Sequence, residues 1–174
     1  MTASRPAQVP DGIMDGHERD SRWARLLPLA LLSALLGMGL AGALGGAPGT
    51  LRQARTEAAS LGVRTPDLLR SGMVFETIID VTPHRPVDDL AIGIPERLWR
   101  EMTVNTMIPA ADREDYRAGL HRFSFGPADA GETLRFKIDG QINPPLFAGA
   151  SGEIVAFDGE RKLAGVPVAV RILP

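Results

Sequence analysis

The sequence contains no cysteine and has few aromatic residues and histidines. Without cysteine the chain has no disulfide bonds, thiolate zinc sites, iron–sulfur clusters or cysteine nucleophiles. Aromatic residues make up 5% of the 174 residues, and there are three histidines. The chain carries 19 basic and 21 acidic residues, a formal net charge of −2. Because a polyanion favours a basic surface, we expect no nucleic-acid partner.

No ionisable side chain occurs between Leu26 and Leu51. The apolar part of this stretch is long enough for a helix that spans a hydrocarbon core of about 30 Å. We therefore predict a disordered cytoplasmic tail over residues 1–24 and one transmembrane helix over residues 25–47, with the lipid bilayer as its partner. Arg22 and Arg25 at the first boundary favour a single-pass inner-membrane protein with a cytoplasmic N-terminus and an extracytoplasmic C-terminal domain.

Small residues near the end of this segment support two interpretations. Gly42 and Gly46 lie four positions apart, a spacing that lets a second membrane helix approach closely. Ala41-Gly42-Ala43 also fits the small-residue pattern that precedes signal-peptide cleavage. Cleavage after Ala43 therefore stays open as an alternative, in which the mature chain is a secreted ligand-binding module or enzyme.

Residues 48–72 are predicted to form a short helical stalk. Thr50 is placed to cap a helix from Leu51 to about Leu61, and the alanine, glutamine, glutamate and arginine residues in between favour a helix. Gly62 would end this helix.

From Met73 onward apolar and polar residues alternate. Leu134, Phe136 and Ile138, for example, alternate with Arg135 and Lys137. Seven such runs fall within residues 73–174, and Asp158-Gly159 is a two-residue hairpin signal. Because each run has one apolar face that must be covered, we predict a mainly β fold, an antiparallel β-sandwich over residues 73–174.

The segment from Phe123 to Phe136 resembles bacterial immunoglobulin-like modules. In those modules an aromatic strand is followed by a proline- and glycine-containing turn, a Gly-Glu-Thr-like strand start and an alternating strand, as in FSFGPADAGETLRF here. The resemblance covers residues 73–174 at superfamily level. It implies an immunoglobulin-like sandwich without a catalytic site, and Trp99 is a candidate for its packed tryptophan.

No motif indicates a catalytic, cofactor-binding or metal-binding residue, so we expect a protein that is not an enzyme and needs no cofactor. One alternative is a copper chaperone or redox accessory protein, because imidazole and thioether groups suit copper. Such a site would need to join His84, His121, Met102 and Met107. The acidic residues Asp112, Glu114 and Asp115 are expected in a solvated loop.

Two apolar segments are candidate contacts with a partner protein. The first is a proline-stiffened loop, which otherwise forms a crossover with Phe147 over the core, and the second is a shorter stretch with one proline. We expect a membrane-anchored, non-enzymatic accessory or scaffold protein that contacts other membrane or envelope proteins of a bacterial envelope complex. The candidate residues are Asn143, Pro144, Pro145, Leu146 and Phe147 in the first segment and Met107, Ile108 and Pro109 in the second.

Overall fold

The structure is a computed structural model that describes residues 22–44, 47, 49–100, 102–143 and 149–173. The chain divides into a unit that ends at Leu40 and a second unit that begins at Ala41. The first contains helix α1 (Arg22–Leu40), and the second contains a two-sheet sandwich. The predicted tail over residues 1–24 lies almost wholly outside the described residues.

Helix α1 is rich in leucines, and those from residue 26 onward are exposed. In the described part of the chain, no helix has both the length and the apolar character needed to cross a membrane. The predicted span over residues 25–47 is therefore not supported, and its end is wrong because α1 stops at Leu40. Gly42 lies in the following turn with φ of 72°, a left-handed conformation that interrupts a helix. Gly42 thus has no helical face for packing, and Gly46 lies outside the described residues.

Eleven strands and one short helix form the described part of the second unit. Helix α2 (Glu96–Trp99) follows β5 directly. The strands are β1 (Thr50–Arg55), β2 (Ala59–Thr65), β3 (Leu68–Arg70), β4 (Val74–Pro83), β5 (Leu90–Pro95), β6 (Met102–Ile108), β7 (Arg113–Arg117), β8 (Leu120–Ser124), β9 (Leu134–Ile142), β10 (Ala150–Asp158) and β11 (Arg161–Leu173).

The strands form two sheets that pack face to face. The five-stranded sheet has the order β1-β2-β4-β9-β6, and the six-stranded sheet has the order β3-β11-β10-β5-β8-β7. All pairings are antiparallel except that of β3 with β11. The mainly β sandwich predicted from the alternating runs is confirmed.

The core lies between the sheets and is apolar. Phe136 of β9 is fully buried. Its ring contacts those of Phe123 on β8, in the opposite sheet, and of Phe125, at centroid distances of 5.6 and 4.9 Å. Ile79 and Val81, two alternate residues of β4, are buried with no exposed surface. Apolar burial of this kind contributes about 25 cal/mol per Å², which makes the closed core the main source of stability.

The predicted helical stalk is wrong, because residues 50–70 form strands β1, β2 and β3. Ala59, Leu61 and Val63 are buried at every second position, and a helix cannot point such residues to one side. The turn between β1 and β2 is held by Thr56, whose hydroxyl accepts hydrogen bonds from the N–H groups of Ala58 and Ala59. Tertiary burial therefore overrides local helix propensity, and the sandwich begins at Thr50 instead of residue 73.

Two smaller features also differ from the sequence prediction. The β10–β11 hairpin forms, but Asp158 pairs with Arg161, so the two loop residues are Gly159 and Glu160. The acidic residues Glu114 and Asp115 lie on strand β7 and not in a loop. Strand β7 shows no alternation of apolar and polar residues because it lies at a sheet edge, where charged side chains can face solvent on both sides.

Candidate interaction surface

Four of the described strands lie at sheet edges, and they differ in how they are protected. Edge strands offer unpaired backbone N–H and C=O groups to any other extended chain, and charges or short length discourage such pairing. Strand β7 has charged side chains at four of its five positions, β1 has two arginines, and β3 has only three residues. Strand β6 has seven residues, Met-Thr-Val-Asn-Thr-Met-Ile, and none is charged.

Strand β6 pairs with β9 on one side, and no other described strand pairs with its second side. Its side chains alternate between half-buried and exposed at first, and a bulge at Asn105 then shifts the register between Val104 and Thr106. Met102, Val104 and Met107 pack against the rim of the core. The sequence-predicted contact residue Ile108 ends the strand and is 56% exposed.

An aromatic cluster lies on the six-stranded sheet, close to its β7 edge. The His121 ring packs against Trp99 and Tyr116, at centroid distances of 5.6 and 5.0 Å. Trp99 and Met102 line the same cavity between the sheets, so this cluster and the start of β6 are neighbours. Trp99 is thus a half-buried packed tryptophan of the sandwich, and it sits on α2 instead of a strand.

The hydroxyl of Tyr116 is committed to a neighbouring carboxylate. It donates a hydrogen bond of 2.6 Å to Oε2 of Glu96, and this bond raises the pKa of Tyr116 above its ordinary value. Tyr116 itself is 56% exposed. The side of the sandwich between β6 and β7 therefore presents methionine, valine and aromatic side chains.

The described residues of the two candidate contact segments lie on or beside β6. The Thr103 hydroxyl donates a hydrogen bond of 3.0 Å to Oδ1 of Asn143, which fixes the end of β9 beside the start of β6. Met107 and Ile108 are at the other end of β6, and Pro109 follows them in an exposed position. Residues 144–148, and with them Pro144, Pro145, Leu146 and Phe147, lie outside the described residues.

The outer face of the five-stranded sheet is polar, and four of its charged residues form ion pairs. Arg135 donates hydrogen bonds of 2.7 and 3.1 Å to the two carboxylate oxygens of Asp80, and Lys137 pairs with Glu76. Each acidic partner raises the pKa of its basic partner. Because these four charges are paired, this part of the face is a weaker candidate for binding a charged ligand.

Arg122 of β8 is a buried cation that the alternation places on the polar face. Its guanidinium donates to both oxygens of Glu160 at 3.1 Å, and it lies 4.8 Å from the ring centroid of Phe157. It also donates to the carbonyl of Gly159. Arg122 therefore ties β8 to the β10–β11 hairpin and serves the fold. Its burial depends on residues some 35 positions away in the chain, which local alternation cannot reveal.

One serine–histidine contact went unrecognised in the sequence. The Ser60 hydroxyl lies 2.9 Å from Nε2 of His84, whose Nδ1 is 3.4 Å from the carbonyl oxygen of Glu57. A serine nucleophile also needs donors that stabilise an oxyanion. Ser60 lies inside a ladder with β1 and β4 on either side, so its own N–H serves the sheet. The contact therefore has only part of the geometry that acyl transfer requires.

The histidines and methionines of the copper hypothesis do not share one location. His84 follows β4 in the five-stranded sheet, whereas His121 lies on β8 in the six-stranded sheet. Met102 and Met107 lie at opposite ends of β6. Within the described ranges, there is no group of three or more histidine, aspartate and glutamate residues arranged to hold a metal ion.

The interior contains a small cavity between the sheets. It has a volume of about 20 Å³, and its lining includes Phe75, Trp99, Met102 and the hydroxyl-bearing pair Thr65 and Thr77. A cavity of this size has room for about one water molecule. It is too small for an organic ligand in the conformation described.

Comparison with known proteins gives distant structural likenesses. No family model matches the chain, and no curated protein matches it. The chitin-binding domain of a chitinase from Pyrococcus furiosus has 16% identity and a TM-score of 0.40, covering 65% of this chain and 99% of that one. A Niemann-Pick type C2 protein from Japanese carpenter ant has 7% identity and a TM-score of 0.38, covering 74% and 98%. At this distance neither likeness carries an argument about function.

Proposed function

We propose that this chain is a non-enzymatic accessory protein of a bacterial envelope complex, held at the inner membrane by its apolar N-terminal segment. In this proposal the sandwich, of immunoglobulin-like type, lies outside the cytoplasm and contacts another protein. The observation that carries the proposal is the exposure of apolar side chains at two described places. Leu31 on α1 is 63% exposed, and Ile108 on β6 is 56% exposed.

The two exposed apolar surfaces suit different binding partners. The leucines of α1 between Leu26 and Leu36 are 50–63% exposed around the helix. A helix that is apolar all round is stable when lipid or other apolar helices surround it. The β6 edge instead offers backbone hydrogen-bonding groups beside half-buried methionine and valine side chains, which suits a protein partner.

The polar groups of the described surface support a contact protein over an enzyme. Several polar groups of the described surface are engaged in ion pairs within the sheets, such as Arg135 with Asp80 and Lys137 with Glu76. Catalysis needs ionisable groups that converge on a cleft large enough for a substrate. Attachment to a bilayer would raise the local concentration of both partners, so a contact of modest affinity would suffice.

The test uses the full-length chain in membranes of its native host. We expect the chain to stay in the membrane pellet after an alkaline carbonate wash and, after in-cell crosslinking, to co-purify with a reproducible protein partner. A Leu31→Arg/Leu35→Arg variant should move to the soluble fraction, and a Leu51→Arg variant, also changed at an exposed leucine, should not. Recovery of the parent chain in the soluble fraction without a partner would refute the proposal.

The same purified material separates the two alternatives. N-terminal sequencing that begins at Leu44 would establish cleavage after Ala43 and support a secreted module. Stoichiometric copper that is lost in His84→Ala would support a metal chaperone. We expect an N-terminus upstream of α1 and no copper above the background of the buffer.

A further inference from the structure

We infer that the open edge of β6 binds an extended segment of a partner protein by β-strand addition, and that this segment has apolar residues at every second position. This inference rests on the proposed function and specifies the contact. It follows from three properties of the described edge: its backbone, its lack of charge and the side chains that flank it.

The backbone of β6 supplies the hydrogen-bonding groups. A strand with a neighbour on one side uses half of its N–H and C=O groups, and the other half point away from the sheet. The side of β6 opposite β9 has no pairing strand among the described residues. An added strand would extend the five-stranded sheet by one.

The absence of charge distinguishes β6 from the other three described edges. Arg52 and Arg55 on β1 and four charged residues on β7 would place fixed charges against an incoming chain, and β3 is too short to guide one. Two charged residues of β9 lie beside β6: Lys137, the register partner of Ile108, which Glu76 neutralises, and Asp139, the register partner of Thr106. An uncharged partner segment brings no negative charge against Asp139 and adds no charge of its own that would need a partner.

The flanking side chains specify the alternation of the partner. Met102, Val104 and Met107 lie on the core side of β6 and are only partly covered, and Trp99 lies near the start of the strand. Side chains of an added strand that point to this side would complete the rim of the core, whereas those on the other side would face solvent beside Thr103 and Thr106. The partner segment thus needs a period-two pattern with one apolar face.

A second copy of this chain fits the edge less well than a different protein. Two copies of β6 that pair antiparallel along their whole length would place the symmetry axis at Asn105, the central residue of the strand. Asn105 is also the bulge where the ladder is interrupted. A heterologous strand has no such axis, so its register can start on either side of the bulge.

The test probe is the peptide acetyl-KTVTVTVTK-amide, and the protein is the full-length chain in detergent micelles. Binding is followed by fluorescence anisotropy and by amide chemical shifts. We expect shifts confined to β6 and its neighbours, and at least a tenfold loss of affinity in Thr106→Lys, which places a charge on the edge. Gln53→Lys is the matched control, since it adds the same charge to the opposite edge of the same sheet, and it should change affinity by less than twofold.

A peptide with proline at the central valine should bind at least tenfold more weakly, because proline lacks the N–H that strand addition uses. Equal affinity for the parent, Thr106→Lys and Gln53→Lys proteins would overturn the inference, as would amide shifts confined to β1 or β7. Concentration-dependent dimerisation that Thr106→Lys abolishes would also overturn it in favour of a second copy. If β6 does not bind the peptide but a partner is still recovered from membranes, the proposed function stands and the contact lies on another surface.

Discussion

The replacement Leu61→Ala is expected to destabilise the sandwich by about 3 kcal/mol, whereas Leu51→Ala should cost less than about 0.5 kcal/mol. Both leucines lie on the β1–β2 hairpin, but they point to opposite sides. Leu61 is 1% exposed and lies between Ala54 of β1 and Val81 of β4. Leu51 is 44% exposed and faces solvent beside Arg64. A helix over residues 51–61 would leave both leucines on a solvated stalk, and the two costs would be small and similar.

The magnitude for Leu61 follows from its surroundings. Buried Leu→Ala changes cost about 2–5 kcal/mol, and the value depends on how far the site can collapse. Ala54 on the edge strand is half-buried, so the neighbouring chain can relax and the cost falls in the middle of that range. For a domain of this size a loss of 3 kcal/mol lowers the melting temperature by about 10 °C and the urea midpoint by about 2 M.

The assay is urea unfolding followed by tryptophan fluorescence in a Trp23→Phe background. Trp99 is then the remaining tryptophan, and it reports the sandwich because its ring packs against Phe123 and His121. The free energies of unfolding of the parent, Leu61→Ala and Leu51→Ala proteins are compared with the same slope of free energy against urea concentration. A difference between the two variants below about 1 kcal/mol would refute the strand assignment of residues 50–65.

Three further predictions concern the described sandwich. The buried hydroxyl groups of Thr65 and Thr77 lie 2.8 Å apart, and Thr65→Val removes the hydrogen bond between them at a cost of about 1–3 kcal/mol. In a double-mutant cycle of unfolding free energies, Thr65→Val/Thr77→Val should cost less than the sum of the two single changes. Burial raises the pKa of Asp158, but hydrogen bonds from Arg161 and from the N–H groups of Asp89 and Asp88 lower it more. The contribution of Asp158 to the free energy of unfolding, measured against Asp158→Asn, should therefore be full above about pH 5 and shrink as the pH falls below about 4. A Cβ added at Gly152 would collide with the Pro95 ring, whereas one at Gly62 would be 3.7 Å from its nearest neighbour; Gly152→Ala should therefore lower the melting temperature by several degrees and Gly62→Ala should not, which calorimetry can check.

Local alternation predicted the strands whose two faces meet different surroundings. Ile79 and Val81 on β4, and Phe136 and Ile138 on β9, are buried as their spacing predicts, because a period of two separates core from solvent. The same principle failed to predict β2, since Gly62 and the helix-favouring residues before it masked the alternation of Ala59, Leu61 and Val63. Burial of those three side chains outweighs propensity differences of a few tenths of a kcal/mol per residue.

The candidate surface was only partly accessible from the sequence. Its members Met107, Ile108 and Pro109 were identified by composition, and the lack of charge in β6 is visible in the printed letters. That β6 is an edge was not accessible, because strand order depends on pairing with β9, about 30 residues further along the chain. The burial of Arg122 under Phe157 and beside Glu160 has the same non-local origin.

The most direct measurement is photo-crosslinking from single positions of the full-length chain in membranes of its native host. A photoreactive residue at Thr106 on β6 should give a discrete adduct with one protein, and peptide mapping should place the link in a segment with apolar residues at alternate positions. The same group at Gln53 on β1 should give no such adduct. Adducts of equal yield from both positions, or a link from Thr106 to a helical or charged segment, would contradict the account.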